Sequence, residues 1–327
     1  MQYLARTVLG SSFRLPITST QFEELDNAKN IQWEALYLEQ KYDFVIENYI
    51  EFEEAILRCG LEDMVLGRND SRSFNIDTAL FNRKIMNLLT TFKTYEDSYV
   101  QHFNRIFNRD THIVEKAKAA FSLQYDERIG YQAIAKLRNF IQHQGFPVHT
   151  SSYYAKWVEK GGEERGAARY TIELYLKPEE LRKGDFNRTV LKKLESMGEK
   201  VDLKFLVRDF MEGFSAAHIS NRNLLNAQVR WARECIKSAE SDFLKASGED
   251  SVIALAVIEE GSSGVEIEKM YLHQTGEDHR AYLEQKNRQL VNLARRYVSS
   301  ETIDKPGTPK YPSIDVSGEM YLPEAPD

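Results

Sequence analysis

Two long stretches with helical spacing of apolar residues constrain the fold of this chain more than any other sequence feature. In the first, from about residue 18 to residue 57, apolar side chains recur at steps of three, four or seven, as in Leu25, Ala28, Ala35, Leu38, Tyr42, Val45, Tyr49, Phe52 and Ile56. The second has the same spacing at Phe81, Ile85, Leu88, Phe92, Tyr95, Tyr99, Phe103 and Ile106. We expect one long helix that ends at Gly60 and a second that follows the cap candidates Asp77 and Thr78.

A third helix is predicted by the apolar residues Ile134, Leu137 and Ile141, and Gly145 followed by Pro147 is a helix stop signal. Apolar helix faces have to be buried, so these helices must pack on one another or on further helices. We therefore predict a helical bundle as the first domain, residues 1–148.

The pattern changes after Pro147. The segment YTIELYL, residues 170–176, alternates as a strand does, and with YYAKWV before it and a glycine-bearing connection it indicates a hairpin. Helical patterning returns over residues 185–247. A second hairpin is predicted in SVIALAVIEE-GSSG-VEIEKMYL, followed by a helix near 277–298. We expect a mainly α protein whose mixed part, residues 149–298, carries two β-hairpins, and an extended or disordered tail at 299–327, where five of the eight prolines lie.

Composition excludes several classes of function. The formal net charge is −7 and the pI is near 5.7, so no strongly basic surface is available to wrap a long nucleic acid. The two cysteines, Cys59 and Cys235, form no CxxC pair. The sequence contains no GxGxxG, P-loop or HExxH motif, and no apolar run of membrane-spanning length. We expect a cytoplasmic protein with no cofactor, no bound metal and no membrane association.

Two groups of polar residues are weak candidates for a site. Ser215 and His218 lack the GxSxG context of a nucleophile, and a helix near its cap is the better interpretation. The set His273, Glu277, Asp278 and His279 could hold a metal ion, but a solvated turn before a helix explains it more simply.

The stretch LRNFIQHQGFPV, residues 137–148, contains a more specific pattern: Arg138, then Asn139, then His143 four residues further on. The full pattern is expected by chance in only roughly a few per cent of chains of this composition. On a helix, Arg138 and His143 lie about 140° apart and flank one polar face. The alternative is structural: Arg138 would pair with a carboxylate, and His143 would be stabilised at the helix C-terminus by the helix dipole.

The run Arg138-Asn139-Phe140-Ile141-Gln142-His143 resembles the R-N-x-x-x-H form of the Rx4-6H motif of the HEPN (higher eukaryotes and prokaryotes nucleotide-binding) superfamily. The resemblance implies a helical bundle and, for many members, a metal-independent ribonuclease of toxin, antiphage or RNA-guided systems. Other members are binding or scaffold modules. The motif here lies well inside its predicted helix, whereas in many relatives it lies near a helix start.

The chemistry of these residues suits RNA cleavage. A histidine can act as general base or acid near neutral pH, and an arginine offers a permanent charge to phosphate oxygens. Asn139 could orient the imidazole or the phosphate. Because Arg138 and His143 are too far apart around the helix to grip a small group, we expect a homodimer that brings two sets together. RNA is the expected ligand; the alternative is a non-catalytic interaction or regulatory module with a protein partner.

Overall fold

The computed structural model describes residues 1–8, 12–68, 70–158 and 167–300, together with the strand residues 313–314 and 320–321. The described chain is mainly helical and carries small antiparallel sheets, so the predicted fold class is confirmed. The helices are α1 (Ser19–Leu66), α2 (Ser71–Ile106), α3 (Thr111–Glu127), α4 (Ile129–His143), α5 (Pro178–Lys183), α6 (Arg188–Ser196), α7 (Leu203–Ser247) and α8 (Thr275–Lys286).

Helix α1 extends past the predicted end at Gly60 and stops at Gly67. A glycine inside a helix costs only about 1 kcal/mol relative to alanine, which a long packed helix can absorb. Gly67, in contrast, has a left-handed backbone with φ of 57°, and its N–H donates to the Asp63 carbonyl. The end of α1 was predicted at Gly60 and not at Gly67 because helical patterning precedes both glycines.

Helix α2 begins earlier than predicted. Its N-cap is Asp70, whose side chain accepts a hydrogen bond from the Ser73 backbone N–H. The predicted cap candidates, Asp77 and Thr78, both lie inside the helix. Asp77 is buried there, and its carboxylate accepts hydrogen bonds from Arg68 and from the Tyr153 hydroxyl. Its short polar side chain is thus part of a buried network and not of a helix terminus.

The long helix α7 runs through the same core as α1 to α4. Its apolar side chains Leu206, Phe210 and Phe214 are fully buried, and Phe92 of α2 meets both Phe210 and Phe214 edge to face. The predicted bundle of residues 1–148 therefore shares its core with a helix from beyond residue 200. The chain divides into two compact units at residues 1–294 and 295–327, not at residue 148.

The described residues form three antiparallel sheets in addition to the helices. The largest has the strand order β2 (Arg14–Pro16), β1 (Gln2–Arg6), β6 (Leu255–Glu260), β7 (Glu266–Tyr271). The second joins β3 (Thr150–Val158), β4 (Ala167–Leu176) and β5 (Val201–Asp202). Both predicted hairpins are present, as β3–β4 and β6–β7. Strand β1 was not predicted, and it pairs with β6 about 250 residues away.

The unit of residues 295–327 has few described elements. Most of the predicted tail at residues 299–327 lies outside the described residues, apart from the short strands β8 (Ser313–Ile314) and β9 (Met320–Tyr321), which pair antiparallel. A turn of 3-10 helix spans Leu293–Arg295, where helix was predicted to continue to 298. Among the described residues, no helix combines the length and apolar character that crossing a membrane requires.

Candidate functional site

Helix α4, which carries the motif, is fixed at its N-terminal half by α7. Five consecutive residues there are buried: Gly130, Tyr131, Gln132, Ala133 and Ile134. The Gly130 N–H donates to Asp209 at 2.8 Å, and a Cβ on Gly130 would lie only 2.4 Å from the Leu206 carbonyl oxygen. Glycine is thus required for the close approach of the two helices, and this contact sets the position of α4.

The C-terminal half of α4 is open to solvent on one side. Leu137 and Phe140 remain buried against the core, whereas Arg138 is half-buried and Asn139 and His143 are exposed. The predicted polar face is therefore present, with the three motif residues on it. Because His143 follows Arg138 by five positions, helix geometry separates them by about 7.5 Å along the axis and about 140° around it.

The motif side chains have few partners. The Arg138 guanidinium donates to Asn139 Oδ1 at 3.2 Å, and no carboxylate of the described residues lies within ion-pair distance of it. The structural alternative for Arg138, an ion pair, thus has no support in this part of the chain. His143 is the last residue of α4, as the structural alternative for the histidine requires, and its ring makes no hydrogen bond to any described residue.

Ser215 and His218 lie within α7, about three turns from its start, and not near its cap. Both are buried, and they do not contact each other: Ser215 Oγ accepts from the Tyr42 hydroxyl and the Leu290 N–H, whereas His218 Nδ1 is 2.9 Å from the Tyr95 hydroxyl. No nucleophile and base pair forms here. The interpretation of these residues as structural agrees with this geometry.

His218 belongs to a buried ionic network that the sequence did not indicate. Arg222, one turn further along α7, donates to both carboxylate oxygens of Glu39 on α1 at 2.8 and 2.7 Å. Burial alone would raise the pKa of the Glu39 carboxyl, but His218 and Arg222 outweigh it and lower this pKa to about 2. Burial lowers the pKa of His218, and the neighbouring Glu39 carboxylate acts against this shift. This network lies in the core and joins α1 to α7.

A second polar cluster, which the sequence also did not indicate, joins α1 to α2 near the surface. Glu34 Oε2 is 2.5 Å from His102 Nδ1, and His102 Nε2 is 2.8 Å from Lys41 Nζ. Arg105 also donates to Glu34. Burial lowers the pKa of both His102 and Lys41. The partners are more than 60 residues apart, so no local pattern could have identified them.

The candidate metal group at residues 273–279 does not assemble. Among the described residues, no group of three or more His, Cys, Asp or Glu side chains is arranged to hold a metal ion. Glu277 is buried and paired with Arg233 and Arg280, so the segment is not simply a solvated turn. Its role is to hold α8 against α7.

Comparison of the chain with models of known protein families, with curated proteins and with solved structures finds no significant match.

Proposed function

We propose that the chain is a metal-independent RNA endonuclease of the toxin or antiphage-defence type, acting through Arg138, Asn139 and His143. The observation that carries the proposal is the accessibility of this set: His143 has no hydrogen-bond partner and Arg138 no carboxylate partner among the described residues. An arginine without a counter-ion at a surface is available to a phosphate, and a histidine ring without a hydrogen-bond partner is available to transfer a proton.

The proposed reaction needs no metal ion. His143 removes the proton from an RNA 2′-hydroxyl, and the resulting oxygen attacks the adjacent phosphorus. The 5′-oxygen of the next nucleotide leaves and takes a proton from a second histidine. The products are a 2′,3′-cyclic phosphate and a 5′-hydroxyl. Arg138 stabilises the added negative charge on the phosphate, and Asn139 holds the guanidinium in place.

The second histidine would come from a second copy of the chain. Arg138 and His143 of one helix point to opposite edges of the polar face, so one copy cannot surround a phosphate. Two copies related by a twofold axis, with their α4 polar faces opposed, supply two histidines and two arginines to one cleft.

Cleavage of single-stranded RNA in the presence of EDTA tests the proposal. Arg138→Ala and His143→Ala are each expected to reduce the rate by about 10²-fold or more, with little change in melting temperature because both side chains are on the open face. Gln142→Ala, at an exposed position between them, is the matched control and should retain activity. Absence of cleavage by the parent protein would contradict the proposal.

Mixing the two inactive variants tests the composite site. If arginine and histidine of different chains act on one phosphate, a mixed dimer of Arg138→Ala and His143→Ala chains keeps one arginine and one histidine facing each other across the cleft. It lacks only the second histidine as acid, so it regains part of the activity. A centre complete within one chain would regain none. Full cleavage by a protein that light scattering finds monomeric would exclude the dimer while leaving the nuclease assignment.

A non-catalytic interaction module is the second candidate, and the last turns of α1 favour it. Leu57, Leu61 and Met64 on this helix are about half exposed and lie close together at helical spacing. An apolar surface of this kind is typical of a protein contact. Dimerisation without RNA cleavage in any of the above experiments would favour this candidate.

A further inference from the structure

A cavity of about 370 Å³ opens beside the end of the motif helix. Its wall is formed by one face of α2 and by the loop that follows α4, and its polar lining comes mainly from Asn75, Thr78, Asn82, Arg83 and Asn87. Phe146 of the loop completes it. No carboxylate lines this cavity, although the whole chain has an excess of acidic residues. Its size falls within the usual range of small-ligand sites.

Asn82 gives the cavity a directed hydrogen-bond donor. Its Oδ1 accepts the Val148 backbone N–H at 2.9 Å, and because a backbone N–H can only donate, the atom facing it has to be the amide oxygen. The orientation of the side chain is thereby fixed. Asn82 is only 6% exposed, and its Nδ2 group has no acceptor among the described residues. This Nδ2 is not one of the fully enclosed atoms without a partner, so it is free to donate to an acceptor in the cavity.

Arg83, the next residue on α2, gives the cavity a free cation. It is exposed and forms no ion pair with a described residue. The neighbouring acidic groups are already engaged, since Arg68 pairs with both Glu62 and Asp77. The local charge around Arg83 therefore suits an anionic group such as a phosphate.

Phe146 supplies an aromatic surface at the opening. It is 61% exposed, which is unusual for a phenylalanine held in a short loop between a helix and a strand. It follows His143 by three residues, so their Cα atoms are at most about 11 Å apart. A ligand stacked on Phe146 would therefore lie within one or two nucleotides of His143.

We propose that this cavity binds one unpaired nucleobase of single-stranded RNA, with Asn82 Nδ2 donating to a carbonyl oxygen of the base. Phe146 stacks on the ring and Arg83 contacts a backbone phosphate. The ligand is a base with an exocyclic carbonyl, of which uracil is the simplest. This inference rests on the proposed function in naming RNA as the substrate, and it makes the cavity the determinant of sequence preference next to the cleaved bond.

Binding can be measured without cleavage by using labelled oligouridine and oligoadenosine with 2′-O-methyl groups, which remove the attacking hydroxyl. Fluorescence anisotropy with the full chain is expected to show tighter binding of oligouridine. Asn82→Asp keeps the acceptor for the Val148 N–H but turns the donor into an acceptor. It should weaken oligouridine binding about tenfold and reverse the preference toward adenine, whose amino group can donate.

The control for the negative charge that Asn82→Asp adds is Gln101→Glu. It makes the same kind of change at an exposed position of α2 about 28 Å further along the helix. Phe146→Ala, at an exposed position that leaves the core intact, should weaken both oligonucleotides about tenfold. The proposal would be overturned if the parent and Asn82→Asp had the same preference between oligouridine and oligoadenosine. It would also be overturned if Asn82→Asp and Gln101→Glu changed oligouridine binding equally.

The two proposals fail separately. If the parent binds the blocked oligouridine as expected but does not cut unblocked RNA, the cavity stands and the nuclease assignment falls. If RNA is cut but Asn82→Asp and Phe146→Ala leave both binding and cleavage preference unchanged, the cavity proposal falls and the nuclease assignment stands.

Discussion

Replacement of Arg222 by methionine should destabilise the fold strongly, because it leaves a buried carboxylate without its partner. Glu39 is only 3% exposed, and both of its carboxylate oxygens accept hydrogen bonds from the Arg222 guanidinium. Methionine fills similar space without a charge. The variant thus isolates the electrostatic part of the change.

The expected magnitude follows from the partners that are lost. Removal of one member of a buried ion pair costs about 3 to 5 kcal/mol, since the remaining carboxylate of Glu39 then keeps only His218 as a polar neighbour. The Asn287 carbonyl, which also accepts from Arg222 at 3.3 Å, adds a small further loss. In the double variant Glu39→Gln, Arg222→Met the charge is gone, and the expected loss is about 1 to 2 kcal/mol.

Urea unfolding at pH 7, followed by circular dichroism, measures both variants. With an m-value of about 3 kcal/mol/M, the midpoint should fall by about 1.3 M for Arg222→Met and by about 0.5 M for the double variant. The reasoning is refuted if Arg222→Met costs under about 1 kcal/mol or if the double variant is no more stable than the single one.

Two further outcomes are expected. The pKa of Glu39 is about 2 in the fold against an ordinary 4.5. The contribution of this carboxylate to stability is therefore complete above pH 4.5 and is lost as the pH falls toward 2. Between pH 5 and pH 2, the free energy of unfolding of the parent, measured in urea, should fall by about 3 kcal/mol more than that of the double variant. Gly130→Ala should destabilise the fold by about 1 to 3 kcal/mol, because its Cβ would meet the Leu206 carbonyl oxygen at 2.4 Å. Gly60→Ala, which has open space around its Cβ, should stabilise the fold by about 0.5 to 1 kcal/mol. Thermal unfolding compares the two variants, and equal shifts in melting temperature would contradict the packing explanation.

Several helices and both hairpins could be predicted because their signals are local, whereas α3 and α5 were not predicted. Apolar spacing identified α1, α2 and α4, and alternation identified β4 and β6. Helix ends were less certain, since Gly60 and Gly67 look alike in sequence and only the backbone conformation separates them. Strand β1 was missed because its stability comes from pairing with β6, a contact between the two ends of the unit.

The polar face that carries the proposed site was predicted for the same reason. The polar face of α4 follows from helix spacing, and the exposure of Asn139 and His143 agrees with it. The cavity at Asn82 could not be predicted, because it forms only where α2 meets the loop after α4. No conspicuous sequence signal marks the cavity, because single asparagines on a helix are common. Only the hydrogen bond from the Val148 N–H fixes the orientation of the Asn82 side chain.

Two of the Arg and His pairs on the described helices, Arg222 with His218 and Arg138 with His143, have different surroundings, which explain why they should act differently. Arg222 and His218 are buried and share the carboxylate of Glu39, so their charges and hydrogen bonds are satisfied within the fold. Arg138 and His143 lie at the free end of a helix whose other half is fixed by α7, and no described carboxylate neutralises Arg138. The first pair has no capacity left for a ligand, whereas the second is held in place with its donors open. Residue type and spacing alone could not distinguish the two pairs; burial and the presence of a counter-ion do, and they favour the exposed pair as the one that meets a phosphate.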